Sequence, residues 1–363
     1  MLSIINDFAS QELEALKEFK AAGGKAAALL NRNFPPSLLW GLGIWPLRIL
    51  TGGNSGAEKA GEKLVRPDVC PFCKSILGNF LEKQSPHTMC DFVVGAITCD
   101  MMRRTLERLS YNVGLPVFPV QVPATTTKES LEYYTREVLS VADDVSTWLG
   151  ADVDYDRIRS VEKSRVEIAR MLTALLYNGR TSPLISHHLL NLFNWARPEV
   201  YLPFLKDMIV QLPDYEPEFT VLATGSVVLL EDDTVIQLLT DNNVGVIPLT
   251  SSGLNAVEGL EDVTDVPDDM VISELSRITF TMPGNIRRRP NNEVYDRLQE
   301  IVIQTGAKGV IVKTLSFCDL WYTEKERLKQ SLPVPVLVLD TGYAEGTDAQ
   351  VQTRIETFLE TLK

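Results

Sequence analysis

Five cysteines stand in this 363-residue chain, and three of them share one local setting. Cys70 lies in VRPDVCPFCKSILG, Cys99 in VVGAITCDMMRRTLERL and Cys318 in VIVKTLSFCDLWYTEKERL. Each falls in a loop just before a helical pattern, and Cys99 and Cys318 also follow an apolar run that reads as a strand. In an open parallel sheet the carboxyl ends of the strands form the ligand crevice. Helix N-termini there present free N–H groups and the positive end of a dipole. Such a place favours the thiolate, the form that binds metal, and N–H donors to sulfur raise the reduction potential of a bound cluster. Three positions of this kind, drawn from two parts of the chain, could converge in one cleft.

The other two cysteines need separate readings. Cys73 lies three residues after Cys70, a spacing that on a helix makes neighbours at about 5 to 6 Å, so it can reach whatever Cys70 binds. Helix geometry equally allows a small core residue, and the expectation is that Cys73 points away from the metal. Cys90 precedes the strand that Cys99 follows. At about 3.3 Å per residue the run between them spans roughly 20 to 25 Å, which makes Cys90 a buried structural thiol. On spacing alone a zinc site stays open, because Cys70-x2-Cys73 and, after thirteen residues, His87-x2-Cys90 suit a structural Cys3His centre.

Other chemistry-bearing residues are weaker candidates. His187 and His188 sit in a helical stretch without a ligand companion and read as core or surface histidines. Arg287, Arg288 and Arg289 could meet phosphates, but read first as a solvated basic loop. Gly225, after the run FTVLAT, suits a tight strand-to-helix turn. The sequence holds no full phosphate-binding glycine motif, which disfavours nucleotide hydrolysis by this chain.

Elements that could position these residues alternate along the chain. Residues 1–30 read as an N-terminal helical segment. Residues 31–150 read as a first α/β domain carrying Cys70 and Cys99, opened by the Pro- and Gly-punctuated stretch Phe34 to Gly53. Its strands are expected at Asp91 to Thr98 and Leu115 to Pro123. Its clearest helix starts at a capping box from Thr126 to Glu129, repeats Leu131, Tyr134, Val138, Val141, Val145 and Leu149, and stops at Gly150. Residues 151–215 form a helical connector with Ile158, Val161, Ile168, Leu172 and Leu175 in helical spacing. Residues 216–363 read as a second α/β domain carrying Cys318, with strands at Phe219 to Thr224, Val244 to Leu249, Gly309 to Thr314 and Val334 to Asp340. Strand–helix alternation implies a parallel sheet in each domain, hence two Rossmann- or flavodoxin-like units.

Composition narrows the function classes. With 45% hydrophobic and 23% charged residues the chain can build two or three cores. A net charge of −13 argues against nucleic acid, whose binding rests on clustered Lys and Arg. The first thirty residues lack a secretion signal, and the apolar runs fall short of the ~20 residues that cross a bilayer. These features place the protein in the cytoplasm, away from membranes, where cysteines suggest metal or redox chemistry before disulfides.

Several segments together resemble the iron–sulfur subunits of 2-hydroxyacyl-CoA dehydratases and benzoyl-CoA reductases: FPPSLLWGLGIWPLRI, CPFCKSILG, FVVGAITCDMMRR, GLPVFPVQVP, LSFCDLWYTEKERL and VPVLVLDTGYAEGTDAQVQTRIETFLETL. They run in family order over nearly the whole chain. The resemblance implies one four-iron, four-sulfur cluster held by Cys70, Cys99 and Cys318, with one iron left open. It implies a related second subunit in a heterodimer or homodimer, a separate ATP-dependent iron–sulfur activator, and reduction of an acyl-CoA thioester to a ketyl radical anion. Ser37 and Asp100 are then candidates for orienting water or substrate, if they do not simply cap helices. Two departures stand out. Where family members often carry acidic residues, this chain has Pro35, Pro36 and Ser37, so the isolated chain is not expected to dehydrate a 2-hydroxyacyl-CoA. The extra Cys73 and Cys90 resemble the double-cubane branch, which reduces small molecules; a non-catalytic electron relay is a further alternative.

Overall fold

The computed structural model describes residues 1–177, 179–343 and 349–363; residues 344–348 of the last family-like segment lie outside it. Among the described residues there are eight strands: β1 (Lys25–Leu29), β2 (Ile44–Arg48), β3 (Phe92–Ile97), β4 (Val117–Gln121), β5 (Phe219–Gly225), β6 (Val244–Leu249), β7 (Gly309–Leu315) and β8 (Val336–Thr341). They form two four-stranded sheets in the orders β2-β1-β3-β4 and β6-β5-β7-β8, and every pairing is parallel. Both orders are of the flavodoxin type, as strand–helix alternation predicts.

The first sheet is buried on both faces. Ala26, Ala28 and Val93 join one apolar cluster, while Ala27, Leu29, Phe92 and Val94 join another. Successive side chains of a strand point to opposite faces, so each face needs its own cover. One cover is the helices Leu2–Ala21, Pro71–Leu81 and Asp100–Arg108, through Leu16, Ile76, Leu77, Met102 and Leu106. The other is the helix Lys128–Leu149, joined by the helix Asp268–Thr281 from much later in the chain, with Tyr134 stacked on Phe280 at 5.2 Å. The Lys128–Leu149 helix follows the expected apolar face. Its cap is Thr127, one residue later than expected, whose hydroxyl accepts from the Ser130 N–H at 3.2 Å, and it ends on left-handed Gly150.

The helical reading up to residue 30 needs correction. The first helix stops at Ala21, and the alanine-rich Lys25–Leu29 is the central strand β1, paired with both β2 and β3. Alanine favours helix intrinsically, but burial on two faces of a sheet overrides that preference. Strand β2 was hidden in the Pro-punctuated stretch. It lies at the sheet edge, where Pro46 is tolerated despite lacking an N–H.

In the second sheet, Leu222, Val310 and Val312 pack under the helices Tyr155–Tyr177, Pro183–Phe193 and Pro198–Gln211, which occupy the connector region. Val221, Ile311 and Leu339 face the helix Ala349–Leu362. The N-terminal helix bridges the two units. Ile5 and Phe8 join the second unit's cluster, and buried Glu12 receives the Arg197 guanidinium at 2.6 Å.

Candidate functional site

Each sheet order contains one switch point. In the first sheet the chain leaves β1 to one side to form β2, then crosses to β3 on the other side; β5, β6 and β7 repeat the pattern. A crevice opens outside the carboxyl ends of two strands that diverge in this way. The residues following β1, β3, β5 and β7 line a single cleft: Asn31 and Arg32, Thr98 and Cys99, Ser226 and Val227, and Cys318. The two crevices therefore meet, and the cleft measures about 960 Å³ with its open mouth included.

Cys70, Cys99 and Cys318 all line this cleft, and each occupies the position before the first turn of a helix: Pro71–Leu81, Asp100–Arg108 and Asp319–Tyr322. The Cys99 sulfur accepts from the Met102 N–H at 3.4 Å. Cys318 is delivered by Phe317, whose φ of 63° is a left-handed conformation rare for an aromatic residue. The turn lets the Cys318 N–H donate to the Leu315 carbonyl at 2.9 Å. Gly225, the last residue of β5, passes close against the β7 backbone that leads into this loop. At its φ of 123°, a Cβ would lie 2.0 Å from the Lys313 carbonyl oxygen. Next to it, Ser226 accepts from the Leu315 N–H at 3.1 Å and hydrogen-bonds the Cys318 thiol.

The thiols influence one another electrostatically. A hydrogen bond from the Cys73 thiol, helped by the N–H groups of Phe72 and Cys73, holds Cys70 below its ordinary pKa against the opposing effect of burial. Cys73 is pushed well above, first by that same hydrogen bond and then by burial. Cys99 and Cys318 are raised mainly by burial; N–H groups of Met102 and Trp321 pull them down, and the charge of Cys70 pushes them up. Cys70 is thus the most ready thiolate.

Cys73 is buried in the apolar cluster with Met102 and Leu106, and it also lines the cleft next to Cys70. Cys90 behaves as a structural thiol, 6% exposed and raised by burial, at the start of β3 rather than its carboxyl end. The Cys3His zinc spacing does not become a site. His87 is fully buried edge-on to Phe80, with its pKa lowered to about 4 by burial. Among the described residues no three His, Cys, Asp or Glu side chains gather as a single metal ion requires. Thiols placed around a cavity, with N–H donors behind them and Phe72, Met102, Leu320 and Trp321 as apolar walls, fit an iron–sulfur cluster better than a lone ion.

Neither of the two polar candidates lines the cleft. Ser37 is completely buried in the helix Pro36–Gly41, where its hydroxyl donates to Glu162. Asp100 is exposed and pairs with Arg103 and Arg104. The three-arginine run is not a solvated loop: Arg287 lines the cleft near enough to Cys99 to lower its pKa, and Arg288 is buried against Phe280. Arg289 alone is exposed. His188 is buried, and His187 lines an apolar pocket beside the Leu230 carbonyl. Sequence reading missed Arg32, Arg48 and Glu162, three charges that fold inward; Arg48 closes the apolar strand IWPLR, which was the available signal.

Comparison with known proteins points to one family. The family model described as 2-hydroxyglutaryl-CoA dehydratase, D-component, matches residues 32–362. The YjiM protein of Escherichia coli (strain K12), named as a candidate dehydratase subunit, is 22% identical over 349 residues, covering 90% of this chain and 89% of its own. No described helix is long and apolar enough to cross a membrane.

Proposed function

The chain belongs to the 2-hydroxyglutaryl-CoA dehydratase D-component family, and from that premise we propose that it is the iron–sulfur subunit of an acyl-CoA dehydratase or reductase system. Cys70, Cys99 and Cys318 would hold one four-iron, four-sulfur cluster. The observation that carries this reading is the meeting of these three thiols in one cleft, from loops of two separate sheets, each at a helix start. When bound, the cluster supplies single low-potential electrons, received from an ATP-dependent activator, that reduce a thioester carbonyl to a ketyl radical anion.

The chain's own residues serve that chemistry in definable ways. Helix-start N–H groups at Met102 and Trp321 stabilise negative sulfur. Arg287 adds a positive charge beside Cys99. Phe72, Met102, Leu320 and Trp321 exclude water from the inner wall, while Asn255 and Asn285 offer amides to a polar substrate. Asp100 enters as an acidic residue that favours the N-terminus of the helix Cys99 begins, whereas Ser37, bonded to Glu162 outside the cleft, is left a structural role. The acyl-CoA, a related second subunit and the cytoplasmic setting that keeps thiols reduced complete the proposal.

One observation favours a relay reading as well. Cys73 is a fourth thiol in the cleft, and if it also bound iron, no iron would remain open to substrate. A double cubane needs about six thiolates when every other iron takes a cysteine, and four of the five line this cleft. Reduced protein assayed with an activator and a 2-hydroxyacyl-CoA separates these cases. The expected result is no turnover by the isolated chain and turnover when the related subunit is added; turnover by the chain alone would refute both the relay reading and the need for that subunit.

A further inference from the structure

Behind the thiol cleft lies a second cavity of about 540 Å³ with its open mouth included, lined by Phe34, Arg32, Arg48, Glu162, Arg165 and Asn194 among others. Asn31, Arg32 and Arg48 line both spaces, so the two adjoin. The inner chamber holds three guanidiniums against a single carboxylate, Glu162, among its described lining residues. That carboxylate is already engaged: it accepts from Ser37 and lies 3.5 Å from Arg165. Arg48 and Arg32 are in a different position. Arg48 is 8% exposed, its partner is the neutral Asn194 Oδ1 at 2.8 Å, and its Nε has no partner among the described residues. Arg32 donates to two backbone carbonyls, of Asn255 and Pro283. Neither forms an ion pair among the described residues; Arg32 is half-buried, Arg48 is buried, and a buried charge without a counter-charge is costly enough that proteins rarely keep one idle.

The missing component is an anion. Burial and the neighbouring guanidiniums of Arg32 and Arg165 bring Arg48 down to about 9, still protonated at neutral pH. Guanidinium matches a carboxylate bidentately, and most of the remaining wall, including Phe34, Leu260, Leu275, Ile278 and Met282, is apolar, with Asn31, Asn194 and Thr279 as its neutral polar groups. Apolar walls reject a fully hydrated inorganic anion and accept a hydrocarbon stem. We propose that Arg32 and Arg48 form a binding site for a short-chain organic carboxylate, reached from the thiol cleft. The site contains no thiol, so it stands or falls independently of the cluster.

Calorimetric titration of the full chain with butyrate, its neutral analogue butyramide, and sulfate tests this. Butyrate binding at least about tenfold tighter than butyramide and sulfate is expected, with Arg48→Met reducing butyrate affinity by about tenfold or more, the scale of one charge-assisted hydrogen bond. Without ligand, Arg48→Met should melt at or above the wild-type temperature, because an uncompensated buried charge is removed. If that variant does not fold, the comparison of butyrate with butyramide on the wild type decides alone. No binding, equal binding of the acid and the amide, or sulfate binding as tightly as butyrate would overturn the proposal.

Discussion

Cys70 and Cys73, three residues apart at one helix start, hold their protons unequally: the Cys73 thiol beside it keeps Cys70 below its ordinary pKa, and Cys73 is itself pushed well above. Cys73 stays a thiol and Cys70 becomes the thiolate, so two cysteines of one motif take different roles. Cys73→Ala should therefore keep its iron and shift the cluster's reduction potential to more negative values, because donors to sulfur raise it. An EPR-monitored redox titration of wild type and variant reads this. Loss of iron in the variant, or a response to acyl-CoA gained only there, would make Cys73 a ligand instead.

Ser37 and Glu162 form the second buried pair. Ser37→Ala leaves a fully enclosed carboxylate without its hydroxyl donor, at an expected cost of about 1 to 3 kcal/mol. Urea unfolding should show a lower midpoint with an unchanged slope. An unchanged midpoint would mean that the pair carries no stability.

Burial holds the Glu162 carboxyl above its ordinary value of 4.5, while Arg165 and Ser37 oppose that rise. A raised folded pKa means that the folded chain binds the proton more tightly than the unfolded chain. The contribution is fully present at low pH and is lost as pH climbs above 4.5 towards the folded value. The stability of wild type relative to Glu162→Gln should therefore fall across that window and then level off. A difference that is flat, or that rises with pH, contradicts the assignment.

Gly225→Ala places a methyl group 2.0 Å from the Lys313 carbonyl at a left-handed φ. A destabilisation of about 2 to 4 kcal/mol is expected, together with loss of iron, since the same loop supports Cys318 through Ser226. Wild-type stability in this variant would show that the loop relaxes freely.

Much of this arrangement was legible in the residues. Strands such as Phe219–Gly225 and Gly309–Leu315 announce themselves as β-branched runs, and Cys99 and Cys318 sit at helix starts as their context predicts. Lys25–Leu29 was not legible, because its alanines speak for helix and only the partners at Ile44–Arg48 and Phe92–Ile97 make it a strand. Nor were Arg32, Arg48 and Glu162. Charged side chains read as surface until the fold encloses them, and the helix Asp268–Thr281 that closes their chamber comes from far along the chain.

Iron and acid-labile sulfide per chain, determined on anaerobically purified wild type and on the Cys70→Ser, Cys99→Ser, Cys318→Ser and Cys90→Ser variants, test the central claim. The account predicts about four of each in wild type, loss of most of both in the first three variants, and wild-type content in Cys90→Ser. Full iron retention in Cys99→Ser, or zinc in place of iron in wild type, would contradict it.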